Sequence, residues 1–285
     1  MVGYAFIALP IASFLIFFIY PLFYSFYISY FDWGALGKIN SVGLGNYREI
    51  YHDFLFHKAL KNTLKYAAIV VPCQMALGLT MAVTVNQALR FRTFFRAAFY
   101  FPAIAGSVAI TAVATYILAS DGILNAAIGA VRGSTYTHSW FGESNTALQS
   151  IMGLNIWTTS GTMMLFYLAS LQSIPPDVYE AAAIDGAGSW RTFWKITFPL
   201  LKPGHFFVAV LSVIGSLQVF DQAFFVSGGG GGPNYSTMTI VLYLYNTAIH
   251  DVRFGYAAAL GIVLFAMIFT LVLIQRLLFG RPEVS

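Results

Sequence analysis

Asp221 is the carboxylate that falls inside an apolar stretch of this chain, in the run Gly215, Ser216, Leu217, Gln218, Val219, Phe220, Asp221, Gln222. An ionisable group in hydrocarbon is a functional candidate by default, because leaving it unpaired there is costly. With Gln218, Gln222 and the ring of Phe220 it offers hydrogen-bonding groups beside an aromatic face, which suits a solute rich in hydroxyls such as a sugar. A second apolar stretch carries Asn155, Trp157, Thr158, Thr159 and Thr162, with related chemistry. These residue types equally suit hydrogen bonding between packed helices, and both readings stand. One acid without a companion histidine, lysine or second acid gives thin support to a proton relay, so an ion-coupled secondary transporter of a polar solute is the alternative. Other chemistry is excluded. No glycine-rich loop followed by Lys-Ser or Lys-Thr is present to cradle phosphates. The lone Cys73 allows neither an internal disulfide nor a cysteine metal cluster, and His52 and His57, five apart, are poorly spaced as ligands on one helix face. No nucleophile and base stand together in the apolar stretches, so no enzyme and no chain-bound cofactor is expected.

A second group of polar residues lies in the island 174–203, IPPDVYEAAAIDGAGSWRTFWKITFPLLKP. Pro175 and Pro176 suit a helix start, where a missing N–H costs nothing, and Asp177 and Glu180 complement the positive helix end. Ala181, Ala182 and Ala183 favour helix, and Gly186 and Gly188 permit a turn. The pattern predicts a helix stopping near Asp185, then a short helix over 189–198 with Trp190, Phe193, Trp194 and Thr197 on one side, closing at Pro199. An amphipathic connector lying on the bilayer surface would also satisfy that aromatic side.

These groups must be positioned by membrane-spanning helices. The chain has 285 residues, 58% hydrophobic and 9% charged, with a mean hydropathy of +0.72, which excludes a water-soluble domain. Its net charge of +4 is scattered at the ends of apolar segments and forms no stripe for nucleic acid. About 20 residues cross the hydrocarbon, and six spans are predicted at 4–30, 63–89, 97–119, 147–171, 205–226 and 254–279. The first lacks the basic start and short apolar core of a cleaved signal, and Pro10 and Pro21 are candidate kinks. Arg90, Arg92 and Arg96 in a very short connection mark the cytoplasmic side, as do Arg191, Lys195 and Lys202, then Arg276 and Arg281. The connection 120–146 then lies outside, and both termini are cytoplasmic. Lys38, Lys58, Lys61 and Lys65 run against this scheme, in a loop balanced by acids. The run Gly228 to Gly232 reads as a flexible external loop. No internal repeat lets one chain enclose a symmetric pathway.

Glu180, Ala181 and Ala182, then Asp185, Gly186 and Ala187, then Phe193, Ile196, Pro199 and Pro203 resemble the EAA loop of inner-membrane permeases of ABC importers of the sugar type. Gly43, Leu44, Asn46 and Tyr47 are similar to that family's segment between the first two spans. The resemblance covers essentially the whole chain. It implies an all-α membrane protein in a bacterial or archaeal cytoplasmic membrane, with six spans and a cytoplasmic EAA loop between the fourth and fifth. The loop would insert as a coupling helix into a separate ATPase subunit, with Asp177 at its start, Glu180 the charged anchor and Gly186 the pivot. A dimer of ATPase subunits would bind ATP and Mg, a second permease would complete the pathway, and an extracytoplasmic binding protein would deliver a sugar. Alignment with maltose-type permeases implies solute contacts at Asn155, Thr159, Thr162, Gln218 and Gln222. The glycine run is longer than the family's usual Gly-Gly-Pro.

Overall fold

The structure is a computed structural model describing residues 2–87 and 90–279. Leu89, the expected end of the second span, and Arg281 lie outside the described residues. The chain opens with α1 (Val2–Phe14), a π-helical turn (Leu15–Ile19) and α2 (Tyr20–Ile28). The turn stands just before Pro21: the Tyr20 N–H bonds the Leu15 carbonyl five residues back. Widening one turn relieves the clash between a proline ring and the carbonyl four residues earlier, so the helix passes through Pro21.

An antiparallel hairpin of β1 (Phe31–Gly34) and β2 (Gly37–Ser41) follows, which corrects the all-α expectation to a mostly helical fold. It forms because the rings of Tyr27, Phe31 and Trp33 pack together and the Lys38 ammonium sits 3.8 Å over Phe31. In α3 (Gly45–His52) the buried Asn46 amide donates to the carbonyls of Ser29 (2.8 Å) and Phe31 (3.0 Å). Tyr47 shares a 2.8 Å hydrogen bond with the Ser29 hydroxyl. The Asn-Tyr pair therefore ties the start of α3 to the end of α2.

The next helix, α4 (Phe54–Asn86), has 33 residues and is about 50 Å long at 1.5 Å per residue. Its first turns stand beyond a hydrocarbon core of about 30 Å, which is why hydropathy alone starts it at 63. Asp53 caps it, one carboxylate oxygen accepting from the N–H groups of Leu55 (2.7 Å) and Phe56 (3.3 Å). The other accepts the hydroxyls of Tyr243 and Tyr256. Burial alone would raise the Asp53 carboxyl, but the four donors outweigh it and hold its pKa below the usual carboxylate value. A carboxyl lowered on folding adds stability that is present above its ordinary pKa near 4 and disappears as pH falls through the lower folded value. Asp53→Asn should therefore unfold earlier than the parent at neutral pH, by about 1 kcal/mol after solvent screening. The gap should close as detergent-solubilised samples are melted at pH 5, 4 and 3, and a gap unchanged at pH 3 would contradict the assignment.

Next come α5 (Arg92–Ile104) and α6 (Ser107–Ile117), bent by 92° across Ala105 and Gly106. The sequence places one straight span at 97–119, because apolar composition runs unbroken across the bend. After α7 (Ile123–Arg132) comes α8 (Ala147–Gln172), the hub of the fold, which packs on α4 and α5. Small residues permit this closeness. A Cβ on Gly161 would meet the Phe99 carbonyl oxygen and lie 3.0 Å from Tyr100 Cα, and one on Gly78 would come 2.7 Å from Met163 Cβ. Tyr167, Met164 and Leu168 of α8 share a buried cluster with Ala82 and Val85 of α4.

The remaining elements are α9 (Pro176–Ile184), α10 (Ser189–Thr192), a second π-helical turn (Phe193–Thr197), α11 (Phe198–Leu200), α12 (Lys202–Leu217), α13 (Asp221–Ser227), a 3-10 turn (Pro233–Tyr235), α14 (Ile240–Ile249) and α15 (Phe254–Phe279). Among the described residues, four helical stretches are long and apolar enough to cross a membrane: Phe6–Ile28, Phe54–Asn86, Lys202–Ser227 and Phe254–Phe279. The bent pair is a fifth candidate. The α8 helix, 26 residues and about 39 Å, has the length but a more polar composition.

The glycine run, expected to be flexible, is folded into the structure. Gly229 accepts from the Asn246 amide (2.8 Å), the Gly231 N–H donates to the Ser227 hydroxyl (3.0 Å), and the Thr237 N–H donates to the Gly231 carbonyl (2.8 Å). From α4, Asn62 donates to the carbonyls of Tyr235 (2.8 Å) and Met238 (3.0 Å), while the Thr63 hydroxyl accepts the Ile240 N–H (3.0 Å).

Candidate functional site

Two regions carry the residues singled out by type and spacing. The first is the loop after α8. Pro176 opens α9 with Asp177 in its first turn, and the helix ends through a pair of reverse bonds. The Gly186 N–H reaches the Ala183 carbonyl (3.1 Å) and the Ala187 N–H reaches Ala182 (2.9 Å). This is a Schellman termination, in which the residue after the cap must be left-handed. Gly186 has φ +68° there, where a side chain is strained. A local signal thus fixes where the helix stops and how the chain reverses.

Outward faces follow from this geometry. Asp177, Glu180, Ala181 and Asp185 are exposed, Ile184 is 87% exposed, Ala187 is half-buried, and Ala182 is buried against the body. Phe193 and Ile196 are half-buried and Pro199 is exposed. The second helical segment does not close at Pro199. The Phe198 N–H bonds Phe193, five residues back, so a widened turn precedes Phe198-Pro199 as one precedes Tyr20-Pro21, and the helix runs on to Leu200. The loop is tied to α8 and α12. The Thr197 hydroxyl donates to Tyr179 (3.4 Å), Tyr167 of α8 and the His205 ring of α12 are 3.1 Å apart, and the other His205 nitrogen is 3.1 Å from the Phe198 carbonyl. These bonds join α9 to the 193–197 turn, and Phe198, next in the chain, to α12 and through His205 to α8.

The second region is a break in what the sequence reads as one span at 205–226. The α12 helix stops at Leu217, Gln218 to Phe220 are non-helical, and α13 restarts at Asp221. Broken backbone at membrane depth survives where its freed groups find partners or line a cavity. Here the Thr239 hydroxyl donates to the Val219 carbonyl (2.9 Å). Gln218 and Asp221 are exposed beside the break and Gln222 is buried. The Phe220 ring centroid lies 5.2 Å from those of Phe224 and Tyr245. The α13 segment packs against α6 and α8.

On α8, Asn155 and Thr162 are half-buried. The Thr159 hydroxyl lies 2.6 Å from Gln74 Oε1 on α4 and 2.7 Å from the Asn155 carbonyl, so Thr159 acts as helix-to-helix glue. Gln74, 2% exposed, escapes a reading by sequence, although a lone amide in an apolar stretch is its signal. Asp53, Asn62 and Thr239 escape it because their partners lie far along the chain. Among the described residues, Asn155, Thr158, Thr159, Thr162, Gln218, Phe220, Asp221 and Gln222 line neither of the two larger hollows, whose walls are mainly apolar, while Trp157 lines one of them.

Residues 74–283 match the family described as binding-protein-dependent transport system inner membrane component. The chain is 32% identical to the multiple sugar-binding transport system permease protein MsmF of Streptococcus mutans, over 99% of this chain and 96% of that one. It is 34% identical to the lactose transport system permease protein LacF of Rhizobium radiobacter, covering 96% and 92% of the two chains. It is 32% identical to the probable ABC transporter permease protein YurN of Bacillus subtilis, covering 96% and 95%. A solved chain of a bacterial ABC transporter involved in import of the acidic polysaccharide alginate superposes with a TM-score of 0.86 over 99% of this chain and 96% of its own. At 22% identity, that likeness concerns the fold.

Proposed function

This chain belongs to the family of inner membrane components of binding-protein-dependent transport systems, and on that premise we propose that it is the permease through which an ATP-driven importer moves a sugar or related polyhydroxylated solute. It is a multi-pass membrane protein, and the family takes the place of the ion-coupled alternative. Six spans are proposed: α1–α2, α4, the bent α5–α6, α8, the broken α12–α13, and α15, with both termini cytoplasmic. The sugar cargo is supported by the named cargoes of relatives such as MsmF and LacF.

The observation that carries the mechanism is the outward-facing helix α9, ended by a fixed turn at Gly186 and tied through Tyr179 to the 193–197 turn that leads into α12. We assign it as the cytoplasmic coupling helix of the EAA loop, with Asp177, Glu180 and Ile184 facing a partner ATPase dimer that holds ATP and Mg. Closure of that dimer would tilt α9, and the Tyr179, Tyr167 and His205 contacts would pass the displacement to α8 and α12. Such coupling requires α9 to be engaged differently in the two states. A second permease would complete the pathway. The solute path is assigned to the break, where Gln218 and Asp221 are exposed and Gln222 follows, with Phe220 as the apolar face and Asn155 and Thr162 contributed by α8, which packs against Val219 and α13.

The test is uptake against a panel of labelled sugars by the complete importer. Gln218→Ala, Asp221→Ala and Gln222→Ala together should lower uptake of the preferred sugar at least about tenfold, the equivalent of one or two lost hydrogen bonds to solute. They should also change the order of preference. Unaltered uptake and preference would remove the break from the pathway.

A further inference from the structure

A hollow of about 1090 Å³ separates α4 from the aromatic side of the coupling loop. One wall is Met75, Leu79 and Val83 of α4, and the other is Trp190 and Trp194, with Lys202 also on the lining. Along α4 the lining extends from Pro72 to Thr84, about 18 Å of helix, close to half of a hydrocarbon core about 30 Å thick. Trp190 is 76% exposed and its ring lies 5.7 Å from Trp194. Paired tryptophans beside a lysine belong to the level of the lipid headgroups. Arg191 and Lys195, on the same short segment, are exposed as well. The acids Asp177 and Glu180 on α9 and Asp185 at its C-terminal cap do not, among the described residues, line the hollow.

An apolar trough one leaflet deep, with a cation at its loop end, is complementary to a single class of molecule: an amphiphile with an anionic head. We propose that the trough holds one anionic phospholipid of the cytoplasmic leaflet, its acyl chain along α4 and its phosphate at Lys202. This rests on the assignment of the loop to the cytoplasmic side. The lipid bridges α4 and the coupling loop, so the composition of the inner leaflet sets how firmly the loop is held while the ATPase pulls on α9.

The test uses the complete importer in nanodiscs of phosphatidylcholine carrying either phosphatidylglycerol or phosphatidylcholine with brominated chains. Bromine quenches nearby tryptophan, and the difference from Trp190→Phe/Trp194→Phe isolates the trough. Quenching should appear at a lower mole fraction of brominated phosphatidylglycerol than of brominated phosphatidylcholine. Lys202→Gln should reduce that preference about five-fold, the worth of one lysine near an anionic surface, and Lys202→Arg should retain it. Equal quenching by the two lipids would reduce the trough to ordinary boundary lipid and overturn the proposal. Absence of quenching would mean that protein, such as a helix of the second permease, covers the trough, and would overturn the proposal as well. Ser173→Cys, at an exposed position where α8 leads into the loop, in a Cys73→Ser background reports the loop's side independently. Labelling from outside alone would overturn the cytoplasmic assignment, whereas labelling from inside with no lipid preference would overturn only the lipid.

Discussion

Gly186→Pro should leave the protein inserted at normal levels and reduce uptake to background, while the ATPase of the assembled importer continues to turn over without responding to loaded binding protein. The expectation follows from the Schellman turn. Position 186 has φ +68° and donates its N–H to Ala183, whereas proline is fixed near −65° and has no N–H. Neither the angle nor the bond survives, so α9 loses its fixed end and its direction relative to α8. Gly186→Ala keeps the N–H and bears only the left-handed penalty of about 1–2 kcal/mol, so its defect should be smaller. Glu180→Ala removes one exposed charge without touching the turn. It should cost about tenfold in uptake, as loss of a charge-assisted contact across an interface would. The measurement is uptake and ATP hydrolysis on the same proteoliposomes. Normal uptake by Gly186→Pro would count decisively against α9 as the transmitting element.

Gly161→Leu should prevent stable assembly of the helix bundle, and Gly161→Ala should lower its stability by about 1–3 kcal/mol, the usual consequence of overpacking. What a new Cβ meets at 161 is backbone, the Phe99 carbonyl and Tyr100 Cα, so no flexible side chain can swing aside. To admit the methyl, α5 must move off α8, and with it the bent pair that holds α6 against α13. Gly153, two turns earlier on α8, has nothing within 4 Å of its added Cβ. Gly153→Ala is therefore the control, expected within about 0.5 kcal/mol of the parent. Thermal melts in detergent compare the three. Equal melting temperatures for Gly161→Leu and the parent would show that α5 and α8 are not in contact at this glycine.

Each of these effects has a different visibility in the sequence. The helix, turn and helix of the loop are legible because their determinants are local: Pro176 at the first position, alanines after it, and Gly186 at the one residue that must be left-handed. The helix at 254–279 is legible because its apolar run ends where its polar flanks begin. Where proline reads as a stop or a kink, at Pro199 and Pro21, a widened turn just upstream accommodates the ring, and nothing in the sequence announces that turn.

Composition therefore determined that the chain is a membrane protein of apolar helices, and the spacing of glutamate, alanines, aspartate and glycine determined the form of its polar loop. Tertiary structure decided the rest, because the deciding partners are remote. Asp53 extends α4 nine residues beyond its hydropathic start with hydroxyls from Tyr243 and Tyr256, 190 and 203 residues away. Thr239 satisfies the carbonyl freed at Val219 from 20 residues away, and so allows a break that hydropathy reads as continuous helix. Hydropathy reports how much a segment gains by leaving water. Whether its backbone stays straight depends on which groups, brought from elsewhere in the chain, complete its hydrogen bonds.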